Sequence, residues 1–129
     1  MTWDLDQLQG LLSKQTELVI TRESDCLLIA NEDGLDAWIA ISGEQILVES
    51  LLFAQSEVND TAALNAAILR THMVFPLTTV GISNLSGEDY YTAFGSLSAQ
   101  SKESSILIEV ETLFQNVEAF LDAYQEYLK

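Results

Sequence analysis

The chain has 129 residues, of which 48% are hydrophobic, and sets 20 acidic side chains against 5 basic ones for a net charge of -15. That length builds one domain around a single core, and apolar runs reaching the last residues exclude intrinsic disorder. The charge excludes nucleic-acid binding by phosphate neutralisation, which needs many Lys and Arg, and no stretch approaches the ~20 apolar residues of a membrane span.

The first segment reads as a short amphipathic helix ending near Lys14. Thr2 is its expected cap, Asp4 and Asp6 suit the positive helix start, and Leu5, Leu8, Leu11 and Leu12 recur at helical spacing. From Glu17 the texture changes to strands: Leu18 to Thr21, Cys26 to Ala30, Leu35 to Ile41, and Gln45 to Phe53. The polar connections between them are too short for a parallel crossover, so the four form an antiparallel meander. A second helix starts after Asn59 or Asp60 and runs from Thr61 to about Met73, with Leu64, Ala67, Ile68 and Thr71 as its buried stripe and Pro76 preventing a long continuation. A hairpin follows, Leu77 to Leu85 and Tyr90 to Leu97 around Ser86-Gly87-Glu88-Asp89. Gly81 and Gly95 inside it mark close packing or a bulge.

Ser101 is the expected cap of the last helix, which should run to the terminus. Ile106, Val110, Leu113, Val117, Phe120 and Tyr124 form its main stripe, and Leu107, Phe114, Leu121 and Leu128 lie alongside at intervals of seven. The sum is a single α+β domain, an antiparallel sheet flanked by helices in the order α-ββββ-α-ββ-α.

A sheet covered on one side should alternate apolar and polar residues. Here Leu18, Ile20, Leu35, Ile39, Ile41, Ile46 and Val48 share one face by parity. The opposite parity still carries Val19, Leu28, Trp38, Ala40, Leu47, Leu51 and Phe53, diluted by Asp36 and Glu49. Either this second face is an interaction surface, or the terminal helix or a loop covers it. On the first reading Leu28, Trp38, Leu47 and Phe53 are the candidate partner or dimer surface.

Candidates for chemistry are few. His72, the sole histidine, is expected at the flank of the second helix near its C-terminus, where the dipole favours its protonated form; a boundary residue is the simpler reading than a catalytic base. Cys26 has acidic neighbours rather than cationic ones and reads as a buried structural thiol. One Cys and one His do not make a zinc site, and a lone Cys suits a reducing cytoplasm, as does the absence of a basic start in Met1-Thr2-Trp3-Asp4. Asn31-Glu32-Asp33-Gly34-Leu35-Asp36 echoes part of a calcium loop but lacks its ligand series and flanking helices, so a hairpin turn is expected. No catalytic, cofactor or metal residue is assigned.

The order of helix, meander, helix, hairpin and helix resembles the class I type III secretion chaperones, small acidic cytoplasmic proteins, commonly homodimers, that hold unfolded segments of partner proteins. The meander here has four strands where those chaperones usually show three. Leu64-Asn65-Ala66-Ala67-Ile68-Leu69-Arg70, Tyr91-Thr92-Ala93-Phe94-Gly95-Ser96-Leu97-Ser98 and Glu109-Val110-Glu111-Thr112-Leu113-Phe114-Gln115-Asn116-Val117 resemble the bacterial YjfI-like family. That resemblance implies a gene neighbourhood shared with a phage-shock-type membrane-stress protein, and it implies no catalytic residue. The expected function is a cytoplasmic, non-enzymatic protein-binding or adaptor module for a partner with a basic surface. Homo-oligomerisation is expected, and nucleic-acid binding and direct membrane insertion are not. The alternatives are a homo-oligomeric structural or regulatory subunit of a membrane-stress-associated system, an enzyme whose carboxylate or metal site forms only in the fold, and a nucleic-acid mimic.

Overall fold

The computed structural model describes residues 2–129. Helix α1 covers Leu5–Ser13 and is capped by Asp4, not by Thr2. The Asp4 carboxylate accepts from the Gln7 backbone N–H at 2.8 Å, and the Gln7 side chain accepts from the Asp4 N–H at 3.1 Å. This reciprocal box satisfies two otherwise unpaired donors. Thr2 is displaced from the role because Trp3 is pinned elsewhere. Its backbone N–H bonds Ala99 O at 2.8 Å and its indole N–H donates to Ser101 O at 2.7 Å, so the helix begins two residues later, at Leu5.

Strands β1 (Val19–Arg22), β2 (Cys26–Ala30), β3 (Asp36–Ser42) and β4 (Gln45–Ala54) form the expected meander, each within one residue of its sequence-predicted bounds. Helix α2 (Thr61–Thr71) is capped by Asp60 and ends in one 3-10 turn, His72–Val74, so its regular part stops short of Met73. Strands β5 (Thr79–Leu85) and β6 (Glu88–Ser98) make the hairpin. Ser86 and Gly87 lie at φ 53° and 86°, the two positive values a tight two-residue hairpin turn requires. The sheet order is β1-β2-β3-β4-β6-β5, antiparallel throughout, so β6 inserts beside β4 and leaves β1 and β5 as the edges.

Helix α3 spans Glu103–Ala123, preceded by Lys102 with no side-chain cap, so Ser101 does not serve that role. Nor does the helix reach the terminus. Residues Gln125–Tyr127 tighten into a 3-10 turn, after which Leu128 bridges Val58 and Lys129 N–H bonds Glu57 O at 2.9 Å. The last residues thus satisfy backbone groups of the segment following β4 in place of extending the helix.

One core joins Leu8, Leu11 and Leu12 of α1, Leu64 and Ile68 of α2 and the six-residue stripe of α3 to one face of the sheet. That face presents Leu27, Ile29, Ala37, Ile39, Ile46, Val48, Tyr91 and Ala93, all buried. Every helix therefore packs on the same side, and the terminal helix does not cover the other face. Phe53 belongs to the helix side, which corrects its place in the candidate partner surface. The β4–β6 register pairs Leu51 with Thr92 and Phe53 with Tyr91, so Leu52 is a bulge that shifts parity by one residue. Phe53 is 6% exposed, and its ring lies 5.4 Å from that of Tyr91.

Candidate interaction surfaces

The pairing register places the open face in rows across the sheet. One row reads Thr21, Leu28, Trp38, Glu49, Phe94 and Thr79, and the next reads Cys26, Ala40, Leu47 and Ser96. Leu28, Trp38, Ala40, Leu47 and Phe94 are half-buried by one another; Val19 and Leu51 are exposed at their margin, and Asp36 and Glu49 interrupt them. Three of the four sequence-predicted surface residues, Leu28, Trp38 and Leu47, thus stand together, while Phe53 does not join them. Phe94 was missed, although its parity follows once Glu49 is set opposite it. Its ring also lies against Gly81, where an added Cβ would stand 3.2 Å from Phe94 Cε1. Thr92 continues this face beneath its neighbours, 1% exposed, with a hydroxyl that meets no hydrogen-bond partner.

Cys26 is half-buried on this open face, not enclosed in the core. Burial raises its thiol pKa, and Glu23 and Asp25 raise it further, the opposite of what a reactive thiolate needs. His72 follows the last residue of α2, and its Nε2 accepts from the Val80 backbone N–H at 2.9 Å. This contact ties the end of α2 to the edge strand, which makes His72 a boundary residue with a structural role. Asn31 Oδ1 accepts from the Asp33 and Leu35 N–H groups at 3.1 and 2.9 Å, closing the β2–β3 turn as a hairpin in place of a calcium loop. Among the described residues, no group of three or more His, Cys, Asp or Glu side chains is placed to hold a metal.

The burial of two polar side chains on α3 was not anticipated. Glu109 is 6% exposed with Oε2 unpartnered, and burial raises its pKa. It packs on Gly95, whose absent Cβ would stand 2.5 Å from Glu109 Oε2 and 3.1 Å from Leu77 O. Asn116, one heptad on, donates to Pro76 O at 2.9 Å and Thr78 Oγ1 at 2.8 Å, anchoring the connection into β5. The signal was present: each follows a stripe residue by three, Ile106 for Glu109 and Leu113 for Asn116.

A second apolar surface was not anticipated. Leu69, Met73, Val74, Leu77, Ile82 and Leu85 are exposed, Leu69 by 77% and Met73 by 98%. Leu69 and Ile82 share a depression of about 330 Å³ between α2 and the edge strand β5. No acidic residue lies between Asp60 and Glu88, a run conspicuous in a chain of charge -15.

Residues 2–128 match the family described as "Uncharacterized protein conserved in bacteria (DUF2170)". The chain belongs to this family. "Uncharacterized protein YjfI" of Escherichia coli K12 is 30% identical over 131 residues, covering 98% of each protein, in line with the sequence resemblance. Among solved structures, the fold is similar to that of YbjN, a putative transcription regulator from E. coli, at TM-score 0.78 and 19% identity over 99% of this chain and 96% of that one. It is similar also to a chain of the HopA1–SchA chaperone–effector complex, at TM-score 0.64 and 16% identity over 92% and 90% of the two chains. A chain of the ExsC–ExsE complex gives TM-score 0.67 and 11% identity over 92% and 93%. The α+β architecture is therefore the chaperone-like one that the element order implied. No helix among the described residues is long and apolar enough to cross a membrane.

Proposed function

We propose that this protein is a cytoplasmic binding module, chaperone-like in action, that holds a segment of a protein partner against the open face of its sheet. The observation that carries this reading is the group Leu28, Trp38, Leu47 and Phe94 on a face to which no helix among the described residues is packed. An extended or helical segment gains hydrophobic burial there, and the edge strand β1 offers main-chain bonds beside it. Asp36, Glu49 and the chain's overall charge favour a basic segment and disfavour polyanions. The likeness to the HopA1–SchA chaperone–effector complex supports a protein as partner.

The test is affinity capture of the tagged protein from its own cells beside a Trp38→Asp variant, with circular dichroism of both. A stoichiometric partner lost only in the folded variant supports the reading. Equal recovery from both proteins refutes it.

The acid-free apolar surface supports a second reading, self-association into a regulatory subunit of the membrane-stress system that the family resemblance implies. Two strongly acidic copies repel least where neither carries a carboxylate, and β5 is an exposed edge able to pair with its own copy about a two-fold axis. Solution mass at two protein concentrations, for the wild type and Leu69→Asp/Ile82→Lys, tests it. A dimer that becomes a folded monomer in the variant supports this surface. A concentration-independent monomer in the wild type removes it.

A further inference from the structure

The column of apolar residues on α3 at intervals of seven does not close wholly into the core. Phe114 is buried, but Leu107 and Leu121 are half-exposed, as is Leu128 beyond the helix end. They line two adjoining depressions of about 260 and 570 Å³. The opposite wall comes from distant parts of the chain: Leu18 of the α1–β1 connection and Leu35 after the β2–β3 turn. Asp33 and Glu118 border both depressions, so the two form one continuous groove. Between Leu107 and Leu121 the helix rises about 21 Å, roughly the length of a four-turn partner helix.

The charge around this groove has one sign. Glu17 and Asp33 stand on one wall and Glu111, Glu118 and Asp122 on the other. No Lys or Arg lines either depression, and the sole ion pair among the described residues, Arg22 with Asp6, lies elsewhere. The donors that reach these acids are neutral: the Thr16 hydroxyl to Glu17 at 3.4 Å and the Gln115 amide to Glu111 at 3.5 Å. Glu111 and Glu118 repeat at the same interval of seven as Leu107, Phe114 and Leu121. An apolar floor and a carboxylate rim therefore run in register along the helix.

We propose that this groove docks a basic amphipathic helix of a protein partner, with aliphatic side chains on Leu107, Phe114 and Leu121 and Lys or Arg side chains on the flanking acids. Heptad-spaced apolar residues of the partner match the floor, and cations at the adjoining positions match the rim, the arrangement that sets pairing in helix-on-helix recognition. The inference goes beyond the proposed function because it concerns a separate surface, on the helix side of the sheet, and holds whether or not the open face captures a partner.

The experiment measures fluorescence anisotropy of three labelled 18-residue peptides on the full protein: a helical one with a Leu stripe flanked by Lys, its scrambled isomer, and a Leu-striped peptide flanked by Glu. The expected result is saturable binding of the Lys-flanked helix, at least tenfold tighter than the scrambled isomer and weakened by salt. Glu111→Lys/Glu118→Lys, a change at two exposed positions, should lose tenfold or more and gain the Glu-flanked peptide. Glu44→Lys/Glu57→Lys changes net charge equally at two exposed positions away from both the groove and the open face, and should leave binding within twofold. Equal binding of the scrambled isomer, or equal loss in both reversal variants, would reduce the effect to general attraction by an acidic protein and overturn the proposal. Loss confined to the Glu44→Lys/Glu57→Lys variant would also overturn it, by placing the peptide away from the groove.

Discussion

Trp38 and Ile39 are neighbours in the chain and lie on opposite sides of a layer one strand thick. Ile39 is fully buried under the helices, in a row running from Leu27 through Val48 to Gly95. Trp38 lies in a row of similar length with Leu28 and Phe94, but Glu49 separates it from Phe94 and no helix lies above it. Both rows contain large apolar side chains, so hydrophobicity alone does not distinguish them. What differs is interruption by charge. A carboxylate in the helix-side row would be desolvated at a cost of several kcal/mol, whereas on the open face Asp36 and Glu49 keep their water. Glu109 is the instructive exception, an acid on α3 that does face the core and shows the cost as a raised pKa.

The comparison can be broken at its boundary. Phe53→Ala should destabilise the fold by about 3–5 kcal/mol, the cost of emptying a core site, whereas an open-face Phe53 would cost well under 1 kcal/mol. Chemical denaturation separates the two outcomes. Ile39→Ala beside Trp38→Ala tests the faces at adjacent positions: about 2–4 kcal/mol for the first and about 1 kcal/mol for the second, read from the shift in denaturation midpoint.

Smaller effects sharpen the picture around Glu109. Gly95→Ala drives a Cβ into the Glu109 carboxylate and the Leu77 carbonyl, for an expected loss of about 1–3 kcal/mol, and Glu109→Gln should not restore it because the backbone oxygen remains. Glu109→Gln alone has the smallest effect, and its sign depends on pH. Burial raises the folded-state pKa of Glu109, so the folded state binds this proton more tightly than the unfolded chain does. Its contribution to stability is fully present below the ordinary carboxylate range and is lost as pH rises through the raised value. The melting temperature of Glu109→Gln relative to wild type should therefore increase between acidic and neutral pH; a constant difference would show that the carboxylate is not desolvated.

Much of the local structure was legible. Short polar connections implied the meander, and Asp60 and Ser86-Gly87 marked a helix start and a tight turn. The six-residue stripe of α3 is buried throughout. Three of the four surface candidates could be placed together by counting in twos. The fourth failed because counting in twos assumes an unbroken ladder, and β4 carries a bulge that exists only in its pairing with β6, some forty residues away. The Thr2 and Ser101 caps failed for a related reason, since Trp3 bonds both Ala99 and Ser101 and fixes where the two helices begin.

The sequence by itself therefore determined the elements, their order and their amphipathic phases, because caps, turns and hydrophobic periodicity act within a few residues. Only the tertiary structure decided that all three helices share one face, that Phe53 turns inward, and that Glu109 is buried while Glu111 meets solvent. It alone brought residues near 17, 33 and 118 to the rim of one groove. Those outcomes depend on strand register and on packing between segments distant in the chain, where burial is settled by what stands opposite and not by the residue itself.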